Sequence, residues 1–343
     1  MIRIKSFIFA ASFLAATSSI SAQIKTRSYM DNGDKWGIID ENLKVVIPAE
    51  YLSAGEFTGK CANVEVAQNK WALVDINNKE IIRFTCDKLK PMKCGWCLMI
   101  GTDGKYSFVN EKGEYLVKDA VYASEFSQGL AGVTRGNYER IDYIKPDGTV
   151  AFSIDEAKGH EFHNGLALVE NIFESYGIID KTGKFLTPTE LRRTSYLGEG
   201  AFLTEDPENP YHYMIINKYG KILSPRNIVS ATKVYNGISY LTLYGHKNFN
   251  SYAFNLKTRE LSSKGLFISN NSSKYMATFG KFPDGKTKFT LCDSSFNPLC
   301  DRDFEYFGDE VNDIFVFLDH GKNIYVNTKG KTFVAEKANY LMP

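Results

Sequence analysis

The sequence predicts an all-β fold built from tandem repeats, and three observations carry that prediction. Aromatic residues make up 14% of the 343 residues, and aromatic side chains favour strands. A short phrase recurs: an aromatic or bulky residue, a small or variable one, two apolar residues, then Asp or Asn. Its copies begin at intervals of 35, 35, 35, 35, 37, 39, 37 and 34 residues, the signature of one supersecondary unit repeated along a chain.

The phrase reads Trp36-Gly37-Ile38-Ile39-Asp40 and then Trp71-Ala72-Leu73-Val74-Asp75. Tyr106-Ser107-Phe108-Val109-Asn110 follows, with a degenerate copy at Ile141. Tyr176-Gly177-Ile178-Ile179-Asp180 and Tyr213-Met214-Ile215-Ile216-Asn217 come next, and weaker copies begin at Tyr252, Phe289 and Asn323. Trp36, Trp71, Tyr106, Tyr176 and Tyr213 are therefore the structural anchors of the repeat. Consecutive apolar residues point to opposite faces of a strand, so the anchor strand needs cover on both sides. A single unit cannot provide that cover, and its neighbours must.

Three residues after the Asp or Asn there is usually a glycine, as at Gly113, Gly148, Gly183, Gly220 and Gly330. Asp or Asn bonds its own backbone two residues on, and glycine then accepts the left-handed conformation that closes a bulged turn. These acids are thus read as turn-makers. After the turn an apolar run resumes, as in Val45-Val46-Ile47 or Phe185-Leu186, and Pro48, Pro188 and Pro225 end three of these runs. A glycine-led strand precedes each anchor, for example Gly165-Leu166-Ala167-Leu168-Val169. Each unit is therefore expected to be a meander of three short strands.

About nine such units are expected over residues 23–343 as one domain. Propeller blades carry four strands from roughly 40 or more residues, which favours an open, twisted, solenoid-like array over the alternative of a closed propeller-like ring. The chain resembles the WG-repeat family, named for the Trp-Gly that stands at Trp36-Gly37. An aromatic followed by Gly-Leu-Ala near Phe126–Ala131 and Phe162–Ala167 matches the same pattern. The resemblance implies a β-rich bacterial repeat protein, often exported, with no established common activity.

Residues 1–22 have the form of a signal peptide: Arg3 and Lys5 precede an apolar stretch from Phe7 to about Ala16, and Ser19 to Ala22 offer small residues for cleavage before Gln23. The apolar run is about ten residues against the roughly twenty needed to span a bilayer, so export to the periplasm or outside the cell is expected without a transmembrane anchor. Basic and acidic residues nearly balance, 41 to 40, which gives no net pull toward nucleic acid.

No nucleophile motif, phosphate loop or dinucleotide fingerprint is present, and no catalytic residue, metal ligand or cofactor is assigned. Cys94-Gly95-Trp96-Cys97 has C-x-x-C spacing, but without a second pair or a βαβ pattern. Six cysteines (Cys61, Cys86, Cys94, Cys97, Cys292, Cys300) allow disulfides, buried thiols being the simpler reading; stacking of neighbouring units would bring Cys61 near Cys97. His160-Glu161-Phe162-His163 lacks the helical spacing of a metal motif. Loops ahead of the later anchors are longer, at 205–212, 244–251 and 279–288. They carry Tyr211, His212, Tyr244, His246, Phe249, Phe282, Lys286 and Lys288, a candidate binding edge. The resulting expectation is an exported, non-catalytic binding or scaffold module for a protein, peptide or glycan. The alternative is an exported hydrolase with a carboxylate pair on the loop edge.

Overall fold

The computed structural model describes residues 25–31, 33–136, 140–155, 157–245, 251–262, 275–281, 287–293, 295 and 297–335. The expected signal peptide lies outside these residues. The all-β class holds throughout them. Strands β1 (Thr26–Asp31), β2 (Lys35–Asp40) and β3 (Val45–Tyr51) form the first sheet. Four-stranded sheets follow, made of β4 (Ser53–Ala54), β5 (Ala62–Ala67), β6 (Lys70–Val74) and β7 (Glu80–Thr85), then β8 (Lys88–Leu89), β9 (Cys97–Ile100), β10 (Tyr106–Val109) and β11 (Tyr115–Ala120). The next two are β12 (Tyr122–Ala123), β13 (Ala131–Thr134), β14 (Arg140–Ile144) and β15 (Val150–Asp155), and β16 (Ala157–Gly159), β17 (Leu166–Asn171), β18 (Ser175–Asp180) and β19 (Leu191–Arg192).

A six-stranded sheet holds β20 (Ser195–Gly198), β21 (Ala201–Asp206), β22 (Asn209–Asn217), β23 (Ile228–Ala231), β24 (Ile238–Leu243) and β25 (Ser251–Asn255). A two-stranded ribbon, β26 (Tyr275–Lys281) with β27 (Thr287–Asp293), leads to the last sheet. That sheet is β28 (Tyr306–Val311), β29 (Ile314–Asp319), β30 (Lys322–Asn327) and β31 (Thr332–Val334). All pairings are antiparallel between sequence neighbours.

The turns form as their residues dictate. Asp40 Oδ1 accepts the backbone N–H groups of Asn42 and Lys44, both at 2.9 Å, and Asp180, Asn217 and Asn327 repeat the arrangement. Gly113, Gly148, Gly183, Gly220 and Gly330 have φ between 73° and 84°. In the first two copies Leu43 and Asn78 hold that left-handed position instead.

Packing confirms that the units lean on one another. Ile38 faces Ala54, Phe57, Val64 and Ala72 of the second sheet. Trp71, Leu73 and Phe84 meet Leu89, Cys97 and Val109 of the third, and the same relation continues from sheet to sheet. The six-stranded sheet folds on itself, so that Leu197, Ala201 and Ile215 pack on Leu241, Leu243 and Phe254.

The expected open array of about nine three-stranded units is overturned. Tyr29, Ile39, Leu43 and Ala49 of the first sheet share one buried cluster with Ile314, Tyr325 and Ala335 of the last, which closes the chain into a ring. Polar contacts span the same junction: Arg27 donates to the Ile314 carbonyl at 2.7 Å and pairs with Asp309, and Asn327 Nδ2 donates to the Glu41 carbonyl at 2.9 Å. The result is a β-propeller in which, among the described residues, seven sheets of three to six strands form the blades, plus the two-stranded ribbon. Two expected units, anchored at Tyr213 and Tyr252, merge in one sheet through the Tyr213–Ile228 pairing. The fourth strand escaped the sequence reading because β4, β8 and β12 are two residues long, too short to show a period. Ring closure itself was not legible because it joins residues nearly 290 positions apart.

Candidate functional site

These short first strands matter because they lie on the inner side of the ring. The opposite strands carry the exposed apolar residues of the outer edge, including Ile81, Tyr115 and Val150. Within the ring, β8, β12 and β20 border a cavity of about 830 Å³, together with the segments that follow β16 and β23.

The lining obeys the repeat. In each unit a tight turn ends in glycine with positive φ: Gly95, Gly129, Gly165, Gly200 and Gly237. Five residues before the first four of these stand Lys90, Ser124, His160 and Ser195, and all four line the cavity. Four residues before the last four stand Glu125, Glu161, Tyr196 and Lys233, which line it as well. Backbone repetition thus delivers one or two inward-facing residues per unit, while chemistry varies from unit to unit. The turns also hold each other: Gly165 N donates to Gln128 Oε1 at 2.8 Å and Gly237 N to Glu199 Oε2 at 2.9 Å.

Aromatic rings form the apolar part of the wall. Tyr106 and Tyr122 lie 5.7 Å apart, His160 is 5.8 Å from Tyr176, and His163 stacks on Tyr196 at 5.7 Å and 11°. The Tyr196 hydroxyl accepts from Asn164 Nδ2 at 3.0 Å, which fixes that ring. Glu125 receives two ammonium groups, Lys93 at 2.7 Å and Lys90 at 3.5 Å. His160 Nε2 lies 3.6 Å from a Glu170 carboxylate oxygen. Lys233 donates to the Tyr196 carbonyl, and desolvation at the cavity wall pulls its pKa below the usual lysine range.

The candidate edge is elsewhere. His212 and Tyr244 come together from neighbouring hairpins with ring centroids 4.6 Å apart, and Arg193 lies 5.7 Å over the Tyr211 ring. Tyr211, His212 and Tyr244 do not line the cavity. His246, Phe249, Phe282 and Lys286 lie outside the described residues. Among the anchors Trp71 is buried and donates to the Asp87 carbonyl at 3.2 Å, while Trp36, Tyr106, Tyr176 and Tyr213 are half-buried. His160 and His163 point to different carboxylates, Glu170 and Glu161. Elsewhere Glu305, Asp319 and His320 bring their ligand atoms within 4.8 Å of one another, with Arg302 also on Asp319.

No disulfide joins the six cysteines; Cys61, Cys86 and Cys97 share one buried cluster, as the stacking of units implied for Cys61 and Cys97, and Cys94 is exposed. Burial pushes Cys61 up to about 11 and Cys86 up to about 12.

The sequence reading missed the cavity, yet a signal existed. The positions four and five residues before the second turn glycine are constant in place but read Lys, Ser, His and Ser, then Glu, Glu, Tyr and Lys, so a search for recurring residue types passes over them.

A closed ring of repeated sheets around an inner cavity defines a β-propeller repeat protein. Residues 36–71 match the family model described as WG containing repeat. No curated protein matches the chain in sequence. The fold is similar to a structure titled "Crystal structure of the eukaryotic initiation factor", at 10% identity and a TM-score of 0.54, covering 93% of this chain and 97% of that one. Weaker likenesses are to BamB from Moraxella catarrhalis (14% identity, TM-score 0.40, covering 75% and 88%) and to KlHsv2 with loop 6CD replaced by a Gly-Ser linker (10%, 0.35, 80% and 93%). At these identities the likeness concerns the fold alone.

Proposed function

We propose that this chain is an exported, non-catalytic binding module that holds a segment of a partner protein in the inner cavity of its ring. One observation carries this reading: consecutive repeats deliver equivalent inward positions, occupied by different polar and aromatic groups, to one cavity of about 830 Å³. A rigid scaffold with a variable lining is what selective recognition needs, and rings such as Tyr106, Tyr122 and Tyr176 offer large contact area at low entropy cost. Export rests on the N-terminal pattern of Arg3, Lys5 and the apolar run.

The reading is tested by plugging the cavity. Ser195 is exposed on its wall, so Ser195→Trp fills space without disturbing the core. Crosslinking in the envelope fraction of cells making the full chain should yield a partner with the natural protein and lose it with the plug. Retention of that partner by the plugged ring, with loss in a His212→Ala/Tyr244→Ala variant, would move the site to the outer hairpins. Amino-terminal sequencing of the envelope form should begin at Gln23.

One observation keeps the hydrolase reading in view: Glu125 and Glu161 line the same cavity. Glu125 is engaged by Lys90 and Lys93 instead of standing open, which favours binding. Hydrolytic activity of the purified ring that Glu161→Gln abolishes would reverse the preference.

A further inference from the structure

We infer that the hairpin edge of the six-stranded sheet binds a glycan chain, through Tyr211 and the His212–Tyr244 ring pair. This edge lies apart from the inner cavity and does not rest on the cavity reading. Tyr211 holds its backbone at φ 75°, a left-handed conformation that bulky residues rarely adopt. Such strain persists only where the surroundings over-determine it, and it collects at ligand sites. Here the surroundings do so. The Tyr211 N–H donates to Glu205 Oε1 at 3.2 Å, and the fully buried Asp206 carboxylate accepts Arg226, Asn209 Nδ2 and the Glu208 N–H, each at 3.1 Å. This braced hairpin carries a tyrosine ring that stands 76% exposed, with Arg193, itself left-handed at φ 44°, 5.7 Å over it. On the adjoining hairpin Tyr244 is 64% exposed and meets His212 at 4.6 Å and 43°.

The chemistry of the edge argues for a sugar. A pyranose with equatorial hydroxyls has an apolar face of axial C–H bonds and a polar rim of hydroxyls. A stiff tyrosine face covers the first, and the planar polar groups of Arg193, His212 and Asn209, with the Glu205 carboxylate, supply donors and acceptors for the second. A protein interface asks for different surroundings, because its anchor rings sit among contacts that exclude water. Arg193, Glu208 and Asn209 are all exposed.

Isothermal titration of the mature ring with cellohexaose and with hexa-N-acetylchitohexaose tests this. At least one of the two should bind, and Tyr211→Gly and Tyr244→Ala should each lower its affinity about tenfold, the loss of one stacked ring. Tyr211→Gly removes the ring and relieves the left-handed strain, so the hairpin keeps its fold. Tyr211→Phe keeps the stacking face and should hold affinity within about threefold. The partner captured by crosslinking should be retained by the Tyr211→Gly/Tyr244→Ala double variant, which separates the two sites. Binding of neither sugar, or sugar binding untouched by the double variant, overturns the proposal. Sugar binding lost in Ser195→Trp alone would place the glycan in the cavity and overturn the edge. Loss of the crosslinked protein by the double variant, with neither sugar bound, would make the edge a protein surface instead.

Discussion

Ile38 and Ile39 are adjacent in sequence, equally buried at 0% exposure, and on opposite faces of β2. Ile38 packs on the second sheet, Ile39 on the last. That makes the pair a direct test of ring closure. Ile→Ala removes three buried carbons, at about 0.8 kcal/mol each, and leaves a cavity whose cost adds to this. Each substitution should therefore destabilise the protein by about 2–5 kcal/mol. In a closed ring Ile39→Ala costs about as much as Ile38→Ala, because both faces of the first sheet are interior. In an open array the Ile39 face would be an end facing water, and its truncation would cost almost nothing. Urea unfolding followed by tryptophan fluorescence reads the difference, Trp36 and Trp71 lying in the first two sheets. An Ile39→Ala midpoint within error of the natural protein, beside a clearly lowered Ile38→Ala midpoint, would refute closure.

Four further outcomes are expected. A Cβ at Gly37 would stand 2.5 Å from the Ile47 carbonyl oxygen and 2.8 Å from Ala49 N, both backbone, so Gly37→Ala should lower stability by about 1–3 kcal/mol in the same unfolding assay. At Gly129, by contrast, the space around a Cβ is open and only the left-handed conformation opposes a side chain, so Gly129→Ala should cost about 1 kcal/mol. Alkylation of the native protein near pH 8, read by peptide mass mapping, should modify Cys94 and spare Cys61, Cys86 and Cys97. Because the folded thiols of Cys61 and Cys86 lose their protons only near pH 11 and 12, while unfolded thiols do so near 9, the contribution of their burial is intact below about pH 9. It is then lost as pH rises through 11 and 12. A Cys61→Ala/Cys86→Ala variant should show a shallower alkaline loss of stability, and an unchanged slope would contradict the assignment.

How far the sequence could be read depended on how local each feature is. The turn of Asp180, Thr182 and Gly183 is complete within four residues, so its chemistry and the resulting hairpin were visible in the letters. Adjacent Ile178 and Ile179 likewise announced a strand covered on both sides, and both are fully buried. The cavity residues were not visible in that way. Glu125, Glu161, Tyr196 and Lys233 share a place but only the first two share a side-chain type, since packing fixes the backbone there and leaves the inward group unconstrained.

Sequence alone thus determined the period, the strand and turn chemistry, and the need of every unit for two neighbours. It favoured an open array, in which the first and last units would each lack a second neighbour. Tertiary structure decided that they find it in each other, through Ile39, Tyr29, Ile314 and Tyr325. The reason is physical: small, fixed rotations between successive sheets accumulate over the whole chain, and only their total determines whether the two ends meet and enclose a cavity.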